Sequence, residues 1–115
     1  MLGKRIEVVI DRPLGSAHPN DPACIYTLNY GYVPGVMAGD GEEQDVYVMG
    51  VDEPLQRFCG QVIAIIHRKN DNEDKWVAAP EGKCFSAEEI RRATHFIEQY
   101  FDSKIMCMQE DDCAE

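Results

Sequence analysis

Alternating apolar and polar positions near the start of the chain predict a β-strand. Residues 5–11 (Arg-Ile-Glu-Val-Val-Ile-Asp) are rich in β-branched side chains, which favour strands. Residues 14–24 are dense in Gly, Pro, Ser, Asn and Asp and have no periodic apolar face, so we expect a loop there. Residues 25–33 carry tyrosines on both sides of Gly31, which predicts a kinked strand that ends at the turn Pro34-Gly35.

Further apolar segments have the length and composition of strands. They are residues 45–51, 60–67 and 75–79, which are separated by polar residues and by proline. Several short strands at this close spacing predict a small β-barrel. Residues 104–109 are predicted to return as a last edge strand.

One helix is predicted after these strands, and its start is marked by side chains. Ser86 is a candidate N-cap, and Glu89 follows at the spacing of a capping box. The apolar residues that recur on one helical face, and that we expect to pack on the barrel, are Ile90, Ala93, Ile97 and Tyr100. The pattern predicts a mainly β (α+β) protein, with a single domain over residues 1–109 and an acidic, disordered tail over residues 110–115.

The charge balance argues against two classes of partner. The chain has 21 Asp and Glu against 11 Lys and Arg, a net charge of −10, whereas nucleic acids and anionic membranes require a basic face. The longest strongly apolar run, residues 62–66, is far shorter than the roughly 20 residues of a membrane span. Excess acid suits a protein that collects divalent cations, although acidic surfaces also keep small proteins soluble.

The cysteines bear on the cellular compartment. There are five, at positions 24, 59, 84, 107 and 113, without C-x-x-C spacing. An odd number with this spacing predicts free thiols in a reducing cytosol rather than a disulfide framework or a zinc site. The first residues lead into a strand pattern without an apolar signal core, so we expect a cytoplasmic protein.

Two acidic loops are candidates for a metal site, and the first spans residues 40–45. It places four carboxylates within six positions. Such an oxygen-rich cluster suits Mg²⁺, which binds carboxylates and keeps water ligands for substrate phosphates. Gly41 would let Asp40 and Asp45 converge. The alternative is a solvated acidic turn, which spacing alone does not exclude.

The second acidic loop spans residues 70–74 and precedes Lys75. The two loops could share an ion cluster at the mouths of neighbouring strands, and Lys75 could hold a phosphate oxygen. The alternative is a hairpin tip, where solvated Asp and Asn are common. The chain has neither a Gly-rich P-loop nor a Gly-x-Ser-x-Gly elbow, which argues against P-loop triphosphatases and serine hydrolases.

Several motifs make the chain resemble one family. They are Val8-Val9-Ile10-Asp11-Arg12-Pro13, Asn29-Tyr30-Gly31-Tyr32-Val33-Pro34-Gly35, Asp40-Gly41-x-x-x-Asp45-Val46 and Glu73-Asp74-Lys75 before a strand ending at Pro80. In order and spacing these motifs resemble those of the soluble (family I) inorganic pyrophosphatases, from about residue 6 to residue 100. The resemblance implies an OB-like five-stranded β-barrel with one C-terminal helix packed on it.

The resemblance also implies roles for individual residues. Asp11 falls at a further metal-binding position, and Glu42 falls at the position of the general base, where the family has aspartate. The other implied metal ligands are Asp40, Asp45, Asp71 and Glu73, with Asp74 as the alternative to Glu73. The implied phosphate-side groups are Tyr30, Lys75 and Tyr100.

Two departures from the family reduce its cationic contacts to phosphate. The stretch between the first strand and the Tyr-rich segment is shortened, and Phe101 stands where the family has a lysine. We expect nearby basic residues to replace these contacts. Arg12 is the preferred substrate-binding replacement because it adjoins Asp11. The other candidates are His18, His67, Arg68 and Lys69.

The resemblance predicts Mg²⁺-dependent hydrolysis of inorganic pyrophosphate to two orthophosphates by a metal-activated water. Two alternatives are hydrolysis of another phosphoanhydride, such as a nucleotide, and a non-catalytic domain that binds metal or a protein partner. Family members are homo-oligomers and a small barrel leaves apolar surface to cover, so self-association is expected. No nucleic acid and no membrane is expected as a partner.

Overall fold

The computed structural model describes residues 2–38, 41–69 and 74–107. Eight strands and one helix lie within these ranges. The strands are β1 (Arg5–Arg12), β2 (Ala17–His18), β3 (Asp21–Ile25), β4 (Asn29–Met37), β5 (Glu43–Val48), β6 (Arg57–Arg68), β7 (Asp74–Ala79) and β8 (Ser103–Cys107), and the helix is α1 (Ala87–Glu98). No helix in the described ranges is long and apolar enough to cross a membrane.

Five of the strands form a closed barrel. They are ordered β1-β4-β5-β7-β6, and β1 also pairs with β6, with Arg5 opposite Gln61, which closes the cylinder. Neighbouring barrel strands are antiparallel except β5 and β7, which are parallel. The predicted fold, a mainly β, OB-like five-stranded barrel with one C-terminal helix, is confirmed.

The barrel interior follows from the period-two pattern of its strands. In β1 the side chains of Ile6, Val8 and Ile10 are buried and alternate with more exposed residues. β1 lies so close to β4 that a Cβ atom on Gly31 would be 2.0 Å from the carbonyl oxygen of Val9. Glycine is therefore required where these two strands approach each other.

The predicted capping box at the start of α1 is present. Ser86 Oγ accepts a hydrogen bond from the Glu89 N–H at 3.1 Å, and Glu89 Oε1 accepts one from the Ser86 N–H at 2.8 Å. The prediction that Tyr100 packs on the barrel is wrong, because Tyr100 follows the helix and is 72% exposed. The predicted apolar residues that do pack against the barrel are Ile90, Ala93 and Ile97.

Two segments differ from the sequence-based expectation. Residues 14–24 were expected to be a loop, but they contain most of the two-stranded sheet β2–β3, in which backbone pairing overrides the composition. β4 does not end at Pro34-Gly35, because it continues to Met37 with an irregular register after Val33. A third segment agrees with the expectation: the edge strand predicted over residues 104–109 is present as β8, which pairs with β6. Residues 110–115, predicted to be a tail, lie outside the described residues.

The expectation that all cysteines are free thiols is wrong. Cys84 is disulfide-bonded, whereas Cys24, Cys59 and Cys107 are free. Whether two thiols can be joined depends on how closely the fold brings them together. Cysteine number and spacing along the chain do not contain that information.

Candidate active site

One cavity of about 500 Å³ opens beside the end of α1 and the ends of several barrel strands. We call it the main pocket. Its basic lining residues are Arg12, His18, Arg68 and Lys75, its acidic ones are Asp21 and Asp45, and the others are Cys24, Tyr26, Tyr30, Ile97, Tyr100 and Phe101. Arg12, Arg68 and Lys75 give this lining three positive charges against the two negative ones of Asp21 and Asp45. In a chain whose net charge is −10, this makes the main pocket a candidate site for an anion.

An ion pair lies at the side of the main pocket. Lys75 Nζ is 2.5 Å from Asp45 Oδ2, and the lysine side chain is 6% exposed whereas the aspartate is 32% exposed. Burial lowers the pKa of Lys75 and the charge of Arg68 acts in the same direction, while Asp45 opposes both. Burial, followed by the charge of Asp45, raises the pKa of Tyr30. Tyr30 therefore keeps its O–H as a donor at neutral pH.

A second cation is held at the pocket by aromatic side chains. Arg12 Nη1 donates a 2.6 Å hydrogen bond to Tyr26 Oη. Arg12 Cζ lies 5.7 Å from the ring centroid of Tyr26 and 5.6 Å from that of Tyr30. Burial raises the pKa of the neighbouring Asp11, Arg12 lowers it, and the charge of Asp45 raises it. Asp11 and Asp45 therefore repel each other, and a cation near both would be stabilised.

The third cation of the main pocket is buried in a network. Arg68 donates to Glu98 through Nε–Oε1 at 3.1 Å and through Nη2–Oε2 at 2.6 Å. Tyr47 Oη donates to the same Glu98 Oε2 at 2.8 Å. Arg68 Cζ lies 3.6 Å from the ring centroid of Phe101. Glu98 and Phe101 thus fix this guanidinium directly, and Tyr47 on β5 fixes Glu98.

Asp45 also lines a second, shallower cavity. This cavity has a volume of about 280 Å³, and its other lining residues are Tyr32, Glu42 and Glu43. Glu43 Oε2 accepts a 2.9 Å hydrogen bond from the Gly35 N–H, so Glu43 holds the irregular part of β4. Glu42 is exposed. Asp45 therefore lies between a cation-lined pocket and an acidic cavity.

The predicted metal ligands are only partly described by the structure. Asp40, Asp71 and Glu73 lie outside the described residues. Within residues 2–38, 41–69 and 74–107, no three His, Cys, Asp or Glu side chains are grouped as a metal ion would require. Of the predicted ligands that are described, Asp11 and Asp45 interact electrostatically.

The candidate replacement cations separate into two groups. His67 Nδ1 is 2.7 Å from Asp74 Oδ1, and Lys69 Nζ is 3.7 Å from Asp102 Oδ1, all four side chains being well exposed. Asp74, the alternative metal ligand, is thus paired with a histidine. Neither His67 nor Lys69 is among the described residues that line the main pocket. The candidates that do line it are Arg12, His18 and Arg68.

Sequence reasoning missed the partners that hold these cations. Tyr26, which accepts a hydrogen bond from Arg12, was not identified as its partner. Glu98 was not identified either, although it follows Ile90 and Thr94 at i+4 intervals on the buried face of the helix. Arg68 lies on the same buried face of β6 as the alternate residues before it. Both periodic positions were visible in the sequence, and a charged residue on a buried face requires a partner.

The fold and the pocket together define the class of protein, a small OB-like β-barrel with one pocket lined by cationic and acidic side chains. Curated proteins with similar sequences carry a single name. The inorganic pyrophosphatase of Xylella fastidiosa (strain 9a5c) is 33% identical over 96 residues, covering 67% of this chain and 52% of that protein. The inorganic pyrophosphatase of Xanthomonas campestris pv. campestris is 34% identical over 96 residues, with the same coverage of both chains.

The likeness in fold extends further than the likeness in sequence. An inorganic pyrophosphatase from Ehrlichia chaffeensis superposes with a TM-score of 0.70 at 19% identity, covering 93% of this chain and 88% of that chain. One from Coxiella burnetii gives a TM-score of 0.67 at 18% identity, covering 97% and 90%. The chain is therefore a relative of the inorganic pyrophosphatases in sequence and has the same fold as these solved structures. It spans about half the length of the curated relatives that it matches, and no family model matches it.

Proposed function

We propose that this chain is a Mg²⁺-dependent inorganic diphosphatase, which hydrolyses pyrophosphate to two orthophosphates. The observation that carries the proposal is the position of Asp45 between the cation-lined main pocket and the acidic cavity. Such an arrangement can hold a polyanion and a divalent cation side by side. The curated relatives, each named inorganic pyrophosphatase, support the same activity.

The proposed substrate-binding residues are Lys75, Tyr30, Arg12 and Tyr100. Lys75 and Arg12 supply positive charge to phosphoryl oxygens, and Tyr30, whose hydroxyl is hydrogen-bonded to Asp45, lies beside them. Tyr100 is exposed at the rim of the same pocket, where it can contact an entering anion. Because Lys75 is almost buried, its amine is held in one place rather than swinging through solvent.

The proposed metal ligands are Asp11, Asp40, Asp45, Asp71 and Glu73. The donor chemistry fits Mg²⁺, because Asp11 and Asp45 offer carboxylate oxygens and a cation would relieve the repulsion between them. When bound, Mg²⁺ would screen the charge of pyrophosphate and lower the pKa of water. The chain's own contribution is to orient the carboxylates and to hold the substrate with Lys75.

Glu42 is the proposed general base. It lines the same cavity as Asp45, so a water between the two carboxylates could transfer its proton to Glu42 as it attacks phosphorus. Glutamate is one methylene longer than the family's aspartate. The proposal therefore requires the turn that begins at Gly41 to set Glu42 further back, and the positive φ of Gly41, 85°, fits such a tight turn.

A second candidate function is hydrolysis of a larger phosphoanhydride, such as a nucleotide. The volume of the main pocket, about 500 Å³, suits a drug-sized ligand as well as a small anion. The pocket also offers one exposed tyrosine ring at its rim, that of Tyr100, on which a base could stack. A non-catalytic, metal-binding domain is a further outcome that the same assay would reveal.

Phosphate release from pyrophosphate, with and without Mg²⁺, tests the proposed function. The variant Asp45→Asn should abolish Mg²⁺-dependent release, whereas the control Asp52→Asn changes an exposed residue away from both cavities and should not. Nucleoside triphosphates are compared as substrates in the same assay. Faster release from them would favour the second candidate. Metal binding without release from any substrate would instead indicate a binding domain.

The cellular setting is also part of the proposal: a single-domain, cytoplasmic protein that forms homo-oligomers and has neither nucleic acid nor membrane as a partner. Exposed apolar side chains such as Met37 and Met106 support self-association, and sedimentation at several concentrations would measure it. The disulfide at Cys84 opposes a reducing compartment. Thiol titration of protein that is alkylated during extraction from cells would decide between the two compartments. A protein in the reducing cytosol should have Cys84 reduced.

A further inference from the structure

Arg68 is an unusual residue to find at the end of a buried strand. It is the last residue of β6, only 6% exposed, and lines the main pocket. The proposed mechanism does not use it. Glu98 accepts two of its hydrogen bonds, through Nε and Nη2, and the ring of Phe101 covers one face of the guanidinium.

The guanidinium has a donor that these contacts do not use. A guanidinium carries five N–H groups in a fixed fork, and Nη1 of Arg68 makes no hydrogen bond to any described residue. Among the described residues, no buried side-chain nitrogen or oxygen lacks a hydrogen-bond partner. Nη1 of Arg68 is therefore not enclosed in the protein, and the open space beside it is the main pocket.

The surrounding contacts fix the direction of this donor. The two hydrogen bonds to Glu98 set the plane of the guanidinium, and stacking on Phe101 prevents it from tilting. Glu98 is itself held by Tyr47. A donor that is fixed before the ligand arrives loses little conformational entropy on binding.

The position of Arg68 also complements the other cations. Its charge reaches Lys75, whose pKa it helps to lower, so the two side chains present positive charge to neighbouring parts of the same pocket. Phe101, which replaces a lysine of the family pattern, supports Arg68 instead of contributing charge itself. The cation at this side of the pocket thus comes from β6.

We propose that Nη1 of Arg68 binds a phosphoryl oxygen of pyrophosphate in the main pocket, with Glu98 and Phe101 as positioning residues. The assignment rests on the proposed function and names one further substrate-binding residue for it. It explains how the main pocket can hold a polyanion although Phe101 stands where the resemblance implies a lysine.

The test must separate lost binding from lost folding, because Arg68→Met alone leaves the Glu98 charge buried without its partner. The double variant Arg68→Met/Glu98→Gln removes both charges and keeps an acceptor for Tyr47. Arg68→Lys keeps the charge but lacks the fork. Arg92→Met, which removes an exposed arginine on α1, is the matched control. Unfolding is measured for each variant, and binding of pyrophosphate is measured by calorimetry both in buffer containing EDTA and in buffer containing Mg²⁺.

We expect the double variant to unfold close to wild type but to bind pyrophosphate about tenfold more weakly, the loss of one charge-assisted hydrogen bond. The affinity of Arg68→Lys for pyrophosphate should lie between those of the double variant and wild type, and Arg92→Met should bind pyrophosphate as wild type does. A folded double variant with unchanged affinity would overturn the assignment, and so would Arg68→Lys with wild-type affinity if the double variant does not fold. If the wild-type chain binds no pyrophosphate with or without Mg²⁺, the proposed function itself fails.

Discussion

Tyr47 Oη and Glu98 Oε2 are joined by a buried 2.8 Å hydrogen bond that links strand β5 to the last turn of helix α1. The same carboxylate accepts two hydrogen bonds from Arg68 on β6. One helical side chain therefore connects two barrel strands that are not adjacent in the sheet. The helix is attached to the barrel by this polar contact as well as by apolar packing.

Glu98→Ala should be among the most destabilising substitutions in the helix. It removes one partner of a buried ion pair and leaves the Arg68 charge uncompensated, which costs about 3–5 kcal/mol of unfolding free energy. Glu88→Ala is the control, since its pair with Arg92 is exposed and contributes only about 0.3–0.5 kcal/mol. Urea unfolding measures both. Equal losses would show that the buried pair has no special role.

Alkaline pH should destabilise the fold through its buried tyrosines. Burial, followed by the charge of Glu98, raises the pKa of Tyr47 well above its usual value. A raised folded-state pKa means that the stability is fully present below the unfolded tyrosine pKa of about 10 and is lost as pH rises above it.

Tyr47→Phe removes this ionisation. Its unfolding free energy should be about 1 kcal/mol below wild type at pH 7, because a hydrogen bond is lost, and that gap should narrow above pH 10. Tyr32→Phe, at a partly exposed position, controls for removing a hydroxyl. Denaturant titrations at several pH values give the gap. A constant gap would contradict the assignment of the alkaline loss to Tyr47.

Gly31→Ala should prevent the barrel from closing properly. The added methyl would lie 2.0 Å from the backbone oxygen of Val9, which cannot move without breaking the pairing of β1 with β4. Gly15→Ala is the matched control: its positive φ of 89° makes alanine costly by about 1 kcal/mol, but nothing lies within 4 Å of the added atom. Circular dichroism and thermal melting distinguish the two. Similar melting temperatures would contradict the steric argument.

Arg12→Ala should weaken pyrophosphate binding. Arg12 is held at the main pocket by Tyr26, so its loss removes a charge from the site while leaving the barrel core intact. We expect the KM for pyrophosphate to rise about tenfold, with a smaller change in kcat. Arg57→Ala, at an exposed position on β6, should leave the KM unchanged. An unchanged KM for Arg12→Ala would exclude Arg12 as a phosphate contact.

Local patterns in the sequence were sufficient for most of the fold. The alternation in residues 5–11 and the pair Ser86 and Glu89 each determine local structure within a few residues, and both predictions hold. The β2–β3 sheet was not predicted because its backbone pairing, such as Ala17 with Ile25, does not depend on an apolar face. Composition therefore described this segment poorly.

The candidate site was harder to predict because its contacts join distant parts of the chain. Lys75 and Asp45 were both identified, but their ion pair depends on the parallel pairing of β5 with β7. The bond between Arg12 and Tyr26 depends on how the segment between β1 and β4 folds back. The candidate residues can be recognised from their types and spacing in the sequence. Their interaction partners become visible only when the strand pairing of the barrel is known.

Closure of the barrel through β1 and β6 has a consequence for the order in which the nascent chain can fold. During synthesis β1 can pair with β4 soon after both leave the ribosome. The other edge of β1 can pair only after β6, which contains Gln61, has been made. The ion pair of Arg68 forms later still, because its partner Glu98 must first be translated. Long-range pairings of this kind make folding slow and leave apolar surface exposed meanwhile. We therefore expect the newly made chain to expose apolar barrel surface until its helix has emerged.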